Sequence, residues 1–303
     1  MLFALTLKEI RLVYTKNFNL PKSVHENGHF PFFMCIQIAS PSDKLKPFVK
    51  QYWAVENVLQ QGEHYSQRVI PSGLTELIMY LDHKPTVSTN NRLMEDPFLL
   101  NGQQNDFYDL LISENLSLFS ISFHPQGLSQ FFKLPLQELS NQDIPLRYIN
   151  KDLYTELEAR LSPQISFQQK IEIVEQCLIR LLHENKRGYE FQRIHNIIEM
   201  IRVKQGMVEI EELSSVACLS RKQFERIFLE YIGISPKQYL KIIRFQSSIF
   251  LKSKNEEISL TELAYESGYY DQSHFINDYK KMTGITPKQF FLDCQSIHSD
   301  FFE

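Results

Sequence analysis

The feature that most limits how this chain can fold is a match of the sequence to itself at an offset of 51 residues. Gly233-Ile234-Ser235-Pro236-Lys237-Gln238-Tyr239 returns as Gly284-Ile285-Thr286-Pro287-Lys288-Gln289-Phe290, and Phe224 and Phe228 return as Phe275 and Tyr279. A repeat of this kind marks one structural unit used twice. In the first copy Ile210, Leu213, Ser214 and Ala217 stand at i, i+3, i+4 and i+7, the stripe of a short helix. Cys218-Leu219-Ser220 breaks that helix, and the Ser220 hydroxyl is suited to cap the next one. Phe224, Ile227, Phe228 and Tyr231 form a second stripe, Gly233 ends it, and Ser235-Pro236 opens a long helix running to about Lys254. The second copy follows the same plan. Leu260, Leu263, Ala264 and Ser267 make its first helix, Gly268 its turn and Asp271 its cap. Phe275, Tyr279 and Met282 make the second stripe, and Gly284 the stop. Two short helices across a tight turn form a helix-turn-helix, whose second helix can enter a major groove.

Residues 191–292 resemble the AraC/XylS family of transcription regulators. The carriers are Glu262-Leu263-Ala264, then Gly268-Tyr269-Tyr270-Asp271-Gln272-Ser273-His274-Phe275, then Gly284-Ile285-Thr286-Pro287. The resemblance implies seven helices, with a central one holding two helix-turn-helix units apart so that both address adjacent major-groove turns. It also implies base reading by Lys222, Glu225 and Arg226 in the first unit and by Gln272, Ser273 and Asn277 in the second. Those residue types suit the task. Arg pairs bidentately with guanine, a carboxylate accepts from cytosine, and Gln or Asn pairs with adenine's edge. Arg221, Lys237, Lys241, Arg244, Lys280, Lys281 and Lys288 are the expected phosphate contacts, which hold register without reading sequence. Two positions depart from the family pattern: Cys218 stands where the first turn usually has glycine, and Asn277 where many members carry arginine.

Charge sets a condition on this reading. The chain carries a formal net charge of −4, so attraction to nucleic acid must be local. Residues 193–291 hold 14 Lys or Arg against 12 Asp or Glu, and helix N-termini are therefore expected to share in phosphate binding. Cys35, Cys177, Cys218 and Cys294 show no metal or redox spacing and read as reduced structural thiols in a cytoplasmic protein. No apolar run approaches the roughly 20 residues needed to span a bilayer, and the start lacks a basic leader region. His25-Glu26-Asn27-Gly28-His29 spells a zinc-hydrolase string. Asn-Gly favours a turn there and Pro21 and Pro31 flank it, so no metal site is expected. Phosphate-binding glycine loops and nucleophile elbows are absent from the text, so neither an enzyme nor a cofactor is nominated.

The expected class is α+β: a mainly β N-terminal domain, a helical connector and an all-α C-terminal domain. Residues 1–39 read as an extension, or as sequence upstream of the true start. Residues 40–150 form a β-rich sensor or dimerisation domain, 151–189 the connector, 190–292 the DNA-binding domain and 293–303 a tail. Phe48–Val58, Gln67–Ile70, Leu74–Leu81 and Leu116–Phe123 read as strands, the last with one apolar face, and a helix is expected near Leu128–Phe132. Leu153, Leu157 and Leu161, then Ile171, Val174, Leu178 and Leu181, recur at helical steps and suit a connector or a dimer surface.

Three motifs of the front region resemble one subgroup of the same family: Tyr52-Trp53, Pro71-Ser72-Gly73-Leu74-Thr75-Glu76-Leu77 and Phe123-His124-Pro125-Gln126-Gly127. By analogy that implies a cupin-like barrel with an effector pocket, for which Tyr52, Trp53, Arg68, Glu76 and His124 are the candidates. The function expected is a sequence-specific DNA-binding regulator, more often an activator in this family. Its partners would be double-stranded DNA, a small-molecule effector, RNA polymerase by family analogy, and a second copy in a homodimer, with no membrane. The competing expectation is a ligand-binding or enzymatic β-barrel whose helical region does not touch DNA.

Overall fold

A computed structural model describes residues 33–292, apart from 60, 61, 63, 89–91, 95 and 185–187. The His25–His29 string, Cys294, the rest of the N-terminal extension before residue 33 and the tail 293–303 lie outside the described residues.

Among the described residues, ten strands form two antiparallel sheets. The larger contains β1 (Phe33–Ala39), β2 (Val49–Val58), β4 (Thr75–Tyr80), β7 (Phe98–Asn101), β9 (Leu116–Phe123) and β10 (Asp143–Pro145), in the order β1-β2-β9-β4-β7-β10. The smaller contains β3 (Tyr65–Val69), β5 (Thr86–Val87), β6 (Arg92–Leu93) and β8 (Tyr108–Ile112), in the order β3-β8-β5-β6. An apolar layer joins them, with Trp53, Ile78, Tyr80 and Leu118 of the larger sheet meeting Val87, Leu110 and Ile112 of the smaller. They remain two open sheets, with no ladder closing them into a barrel among the described residues.

The expected one-faced strand at Leu116–Phe123 is buried along its whole length. Its central place between β2 and β4 explains this. Phe119, Ile121 and Phe123 meet the helices on one face, while Leu116 and Leu118 meet the second sheet on the other. Residues 33–39, which the sequence left inside the extension, pair with β2 along their whole length.

Three helices cover the outer face of the larger sheet: α1 (Leu146–Ile149), α2 (Lys151–Arg160) and α3 (Phe167–Glu184). Leu153, Leu157, Leu161, Ile171, Val174, Leu178 and Leu181 all join the core beneath them. Burying each such side chain contributes about 1.5–3 kcal/mol, so both stripes are committed to the sheet and neither is left as a free dimer surface. Cys35, Cys177 and Cys218 are free thiols. Burial, then the Glu156 carboxylate, push the Cys177 thiol up to about 11, which keeps it protonated near neutrality.

The remaining helices are α4 (Tyr189–Val203), α5 (Ile210–Val216), α6 (Arg221–Ile232), α7 (Pro236–Lys254), α8 (Leu260–Glu266) and α9 (Gln272–Thr283). Residues 287–292 are helical again, giving seven helical segments in this region among the described residues. Their shared core includes Phe224, Phe228, Phe245, Phe275 and Tyr279. The repeat is offset by 50 residues across α5 and α8 and by 51 across α6 and α9, so the second turn is one residue longer. Cys218 adopts φ +53°, the left-handed region that Gly268 occupies at φ +76° in the second unit. The first turn thus keeps the geometry without the glycine, against the steric cost of a Cβ there.

The front region packs directly on these helices. Phe48 meets Phe191 at 5.4 Å, Gln126 donates to His195 Nδ1 at 2.9 Å, and Gln246 of α7 donates to the Pro71 carbonyl at 2.6 Å.

Cys218→Gly should remove strain at an exposed turn and raise the unfolding free energy by about 0.5–1 kcal/mol, with Cys218→Val lowering it. Urea unfolding of the two variants checks this; a destabilised glycine variant would rule out the left-handed turn.

Candidate nucleic-acid interface

Each helix-turn-helix unit is built by local signals that also decide which face is left open. Ser220 accepts from the Gln223 N–H while the Gln223 side chain returns to the Ser220 N–H, a capping box that starts α6. Asp271 accepts from the His274 N–H at 2.8 Å and starts α9. Phe224, Ile227, Phe228 and Tyr231 of α6, and Phe275, Tyr279 and Met282 of α9, are all buried. Helical periodicity then turns Lys222 and Arg226 outward on α6, and Gln272, Ser273 and Asn277 outward on α9; all five are exposed.

No acid sits in the first turn of α6 or α9, whereas α5 carries Glu211 and Glu212 there and α8 carries Glu262. The N-terminal ends of the two second helices therefore keep their positive dipole potential, which favours a phosphate.

The C-terminal ends are anchored. Gly233, at φ +94°, closes α6, and a Cβ there would stand 2.8 Å from the Leu136 carbonyl oxygen of the front region. Arg68 donates to the Thr283 carbonyl at the end of α9 at 2.8 Å, pairs with both oxygens of Asp109 at 2.7 Å, and lies 4.4 Å over the Phe107 ring. Both second helices are thus held from behind and open in front.

The expected contact residues separate into free and engaged groups. Lys222 and Arg226 have no hydrogen bond or ion pair among the described residues, and Lys237, Lys280 and Lys288 are exposed in the same condition. Glu225 is half-exposed and accepts from Arg221 at 3.0 Å. Arg221 also contacts Glu211 of α5, so it braces the two helices of its unit, and the Glu225 and Glu211 carboxylates hold its pKa above the usual value. Lys241 pairs with Asp278 at 3.2 Å, and Lys281 faces Asp106 of the front region at 3.8 Å. Arg244 is half-buried, its guanidinium 5.8 Å from the Tyr269 ring centroid. The sequence did not single out Tyr270, which is 86% exposed immediately before the Asp271 cap and presents a phenol beside the open end of α9. Its pairing with buried Tyr269 was the available signal.

The five effector-pocket candidates are not gathered in one place. Trp53 and Glu76 line a cavity between the sheets, where Trp53 Nε1 donates to Glu76 and to Ser122, each at 3.1 Å. Tyr52, adjacent on the same strand, points to the opposite face. It is fully buried and donates to Glu175 at 3.1 Å, and burial raises its phenol pKa. Arg68 is spent on the α9 anchor. His124 lines a second cavity between the front region and α7, with its Nε2 3.2 Å from the Lys46 carbonyl oxygen. Burial, then Lys50, push its imidazole pKa down.

Residues 213–292 match a helix-turn-helix domain family, and residues 37–145 match a domain of unknown function (DUF6597). An HTH-type transcriptional regulator of Haemophilus influenzae is 34% identical over 94 residues, 31% of each chain. The transcriptional regulator LumQ of Photobacterium leiognathi is 31% identical over 147 residues, 46% of this chain and 58% of that one. Among solved structures, ToxT from Vibrio cholerae O395 aligns with a TM-score of 0.42 at 13% identity, covering 87% of this chain and 98% of that one. The chain spans 31% and 58% of the length of these two curated relatives. The tandem helix-turn-helix region of this chain is thus similar to that of AraC/XylS-type transcription regulators.

Arg226→Ala should weaken specific duplex binding by about 1–3 kcal/mol and relax preference at one base pair. Lys237→Ala should weaken all sequences alike and reduce the salt slope by about 1. Titrations against matched and single-substituted duplexes separate the two, and equal losses on every duplex would remove Arg226 from base reading.

Proposed function

We propose that the chain is a sequence-specific DNA-binding transcription regulator, acting as an activator, with a front region that senses a small molecule. The observation that carries the proposal is the pairing of two open helix faces on one support. Lys222, Glu225 and Arg226 lie on α6, and Gln272, Ser273 and Asn277 on α9. Each set stands near the helix end that can enter a groove, while the opposite end is anchored. In this reading the first unit favours guanine through Arg226, and the second favours A·T pairs through Gln272 and Asn277.

Phosphate contacts come from Lys237, Lys280 and Lys288, with the N-termini of α6 and α9 adding uncharged donors. Arg221, Lys241 and Lys281 join them only by releasing their present carboxylate partners. RNA polymerase and a second copy of the chain are the partners proposed from the family. What supports the sensing role is the presence of two cavities behind the DNA-facing side, one of them shared with α7.

Three free cations on phosphates give a slope of about −2.7 for log K against log salt, so affinity for random duplex should fall roughly 40-fold between 50 and 200 mM salt. A slope near −5 would mean that Arg221, Lys241 and Lys281 have also moved onto phosphates. Fluorescence anisotropy at stepped salt measures this, and affinity independent of salt would sink the proposal.

A further inference from the structure

Lys50 is the extra residue of a β-bulge. Val49 pairs with Phe123 and Gln51 with Ser122, so Lys50 has no opposite residue on β9. A bulge re-aims a side chain out of the regular alternation. Here Lys50 lines both cavities of the front region: the one between the sheets, of about 130 Å³, and the one against α7, of about 340 Å³. No hydrogen bond or ion pair joins Lys50 to another described residue. The carboxylate it feels is that of Glu76, which already accepts from Trp53 and from Ser122. Burial pushes the Lys50 ammonium pKa down, with Glu76 acting in the opposite direction. Lys50 is only partly exposed, and a half-buried cation without a hydrogen-bonded counter-ion gains by pairing with an anion from solution.

The surroundings define the rest of such an anion. Trp53, Val55, Val69, Ile78, Tyr80 and Leu110 make the inter-sheet cavity mainly apolar. Its volume is close to that of an engineered apolar cavity of about 150 Å³ that holds benzene. We propose that Lys50 binds the carboxylate of a small apolar acid whose ring or short hydrocarbon body fills the cavity between the sheets. This rests on the sensing role proposed above and names its ligand class.

The site is also joined to the DNA-binding helices. Ser72 and Leu74 line both cavities. The neighbouring Pro71 carbonyl accepts from Gln246 of α7, and Gln103 donates to the Gly73 carbonyl at 3.0 Å. Gln246 is 5% exposed, lines the larger cavity, and leaves its Oε1 without a partner. A ligand on Lys50 therefore touches the wall that α7 holds, and α7 carries both helix-turn-helix units.

The test is binding of benzoate and hexanoate to the full chain, against benzyl alcohol, hexanol and benzylamine at matched ionic strength, read by thermal shift and calorimetry. Each acid should bind at least tenfold more tightly than its alcohol. Lys50→Met should abolish that preference, and Lys50→Arg should keep it. Equal binding of acid and alcohol, binding of none of them, or a preference for benzylamine overturns the proposal. If Lys50→Met does not fold, the acid-to-alcohol ratio of the unaltered chain decides. A gel shift without ligand separates this site from the DNA-binding reading. Duplex binding with no acid preference removes the site alone, and acid preference without duplex binding removes the regulator reading alone.

Discussion

Two edge-to-face aromatic contacts made by one helix hold the DNA-facing part together. Tyr239 of α7 meets Phe228 of the first unit at 5.7 Å, and Phe245, about two turns along, meets Tyr279 of the second at 4.9 Å. Such pairs add about 0.5–1.5 kcal/mol beyond the area they bury. Position matters more than that increment. Because both contacts lie on one helix of 19 residues, the two units cannot move independently without unpacking rings that are almost wholly shielded from water. The Tyr279 hydroxyl, 2.6 Å from Ser248 Oγ, satisfies the one polar atom that this packing buries in that ring.

The front region extends the same constraint. It touches the end of α6 at Leu136, the end of α9 through Arg68, and the middle of α7 through Pro71. Three attachments, one to each unit's second helix and one to the helix between them, make the β-rich layers a second frame behind the reading faces. A change in the Pro71–Leu74 segment would be felt at α7, and through the Tyr239 and Phe245 contacts at both units. In the proposed sensing role, this is the physical route by which occupancy of a cavity would reach the DNA-binding helices, through hydrogen bonds and packed rings already in place.

The helical third was legible in the sequence because its signals are local. Ser220, Asp271, Gly233 and Gly284 start or stop helices through bonds to residues within one turn, and each stands where its type predicts. The departure at Cys218 was visible too, and the fold tolerates it in the left-handed region. The front region was harder. Leu116–Phe123 alternates in sequence, but its two covered faces depend on a distant sheet and distant helices. Phe33–Ala39 becomes a strand through pairing with β2, which no local pattern announces. Strands of two residues, such as Thr86–Val87, carry too little text to recognise. The pocket candidates scattered for a legible reason, since Tyr52 and Trp53 are neighbours on one strand and must face apart. Lys50 escaped notice because a bulge, not a motif, aims it.

The central claim is that both units engage one duplex at once from a fixed separation. Hydroxyl-radical footprinting of the full chain on a selected duplex tests it most directly. Two protected patches on the same face, about 10–10.5 base pairs apart, are expected. A single patch, or two patches whose spacing varies from site to site, would contradict the rigid tandem arrangement.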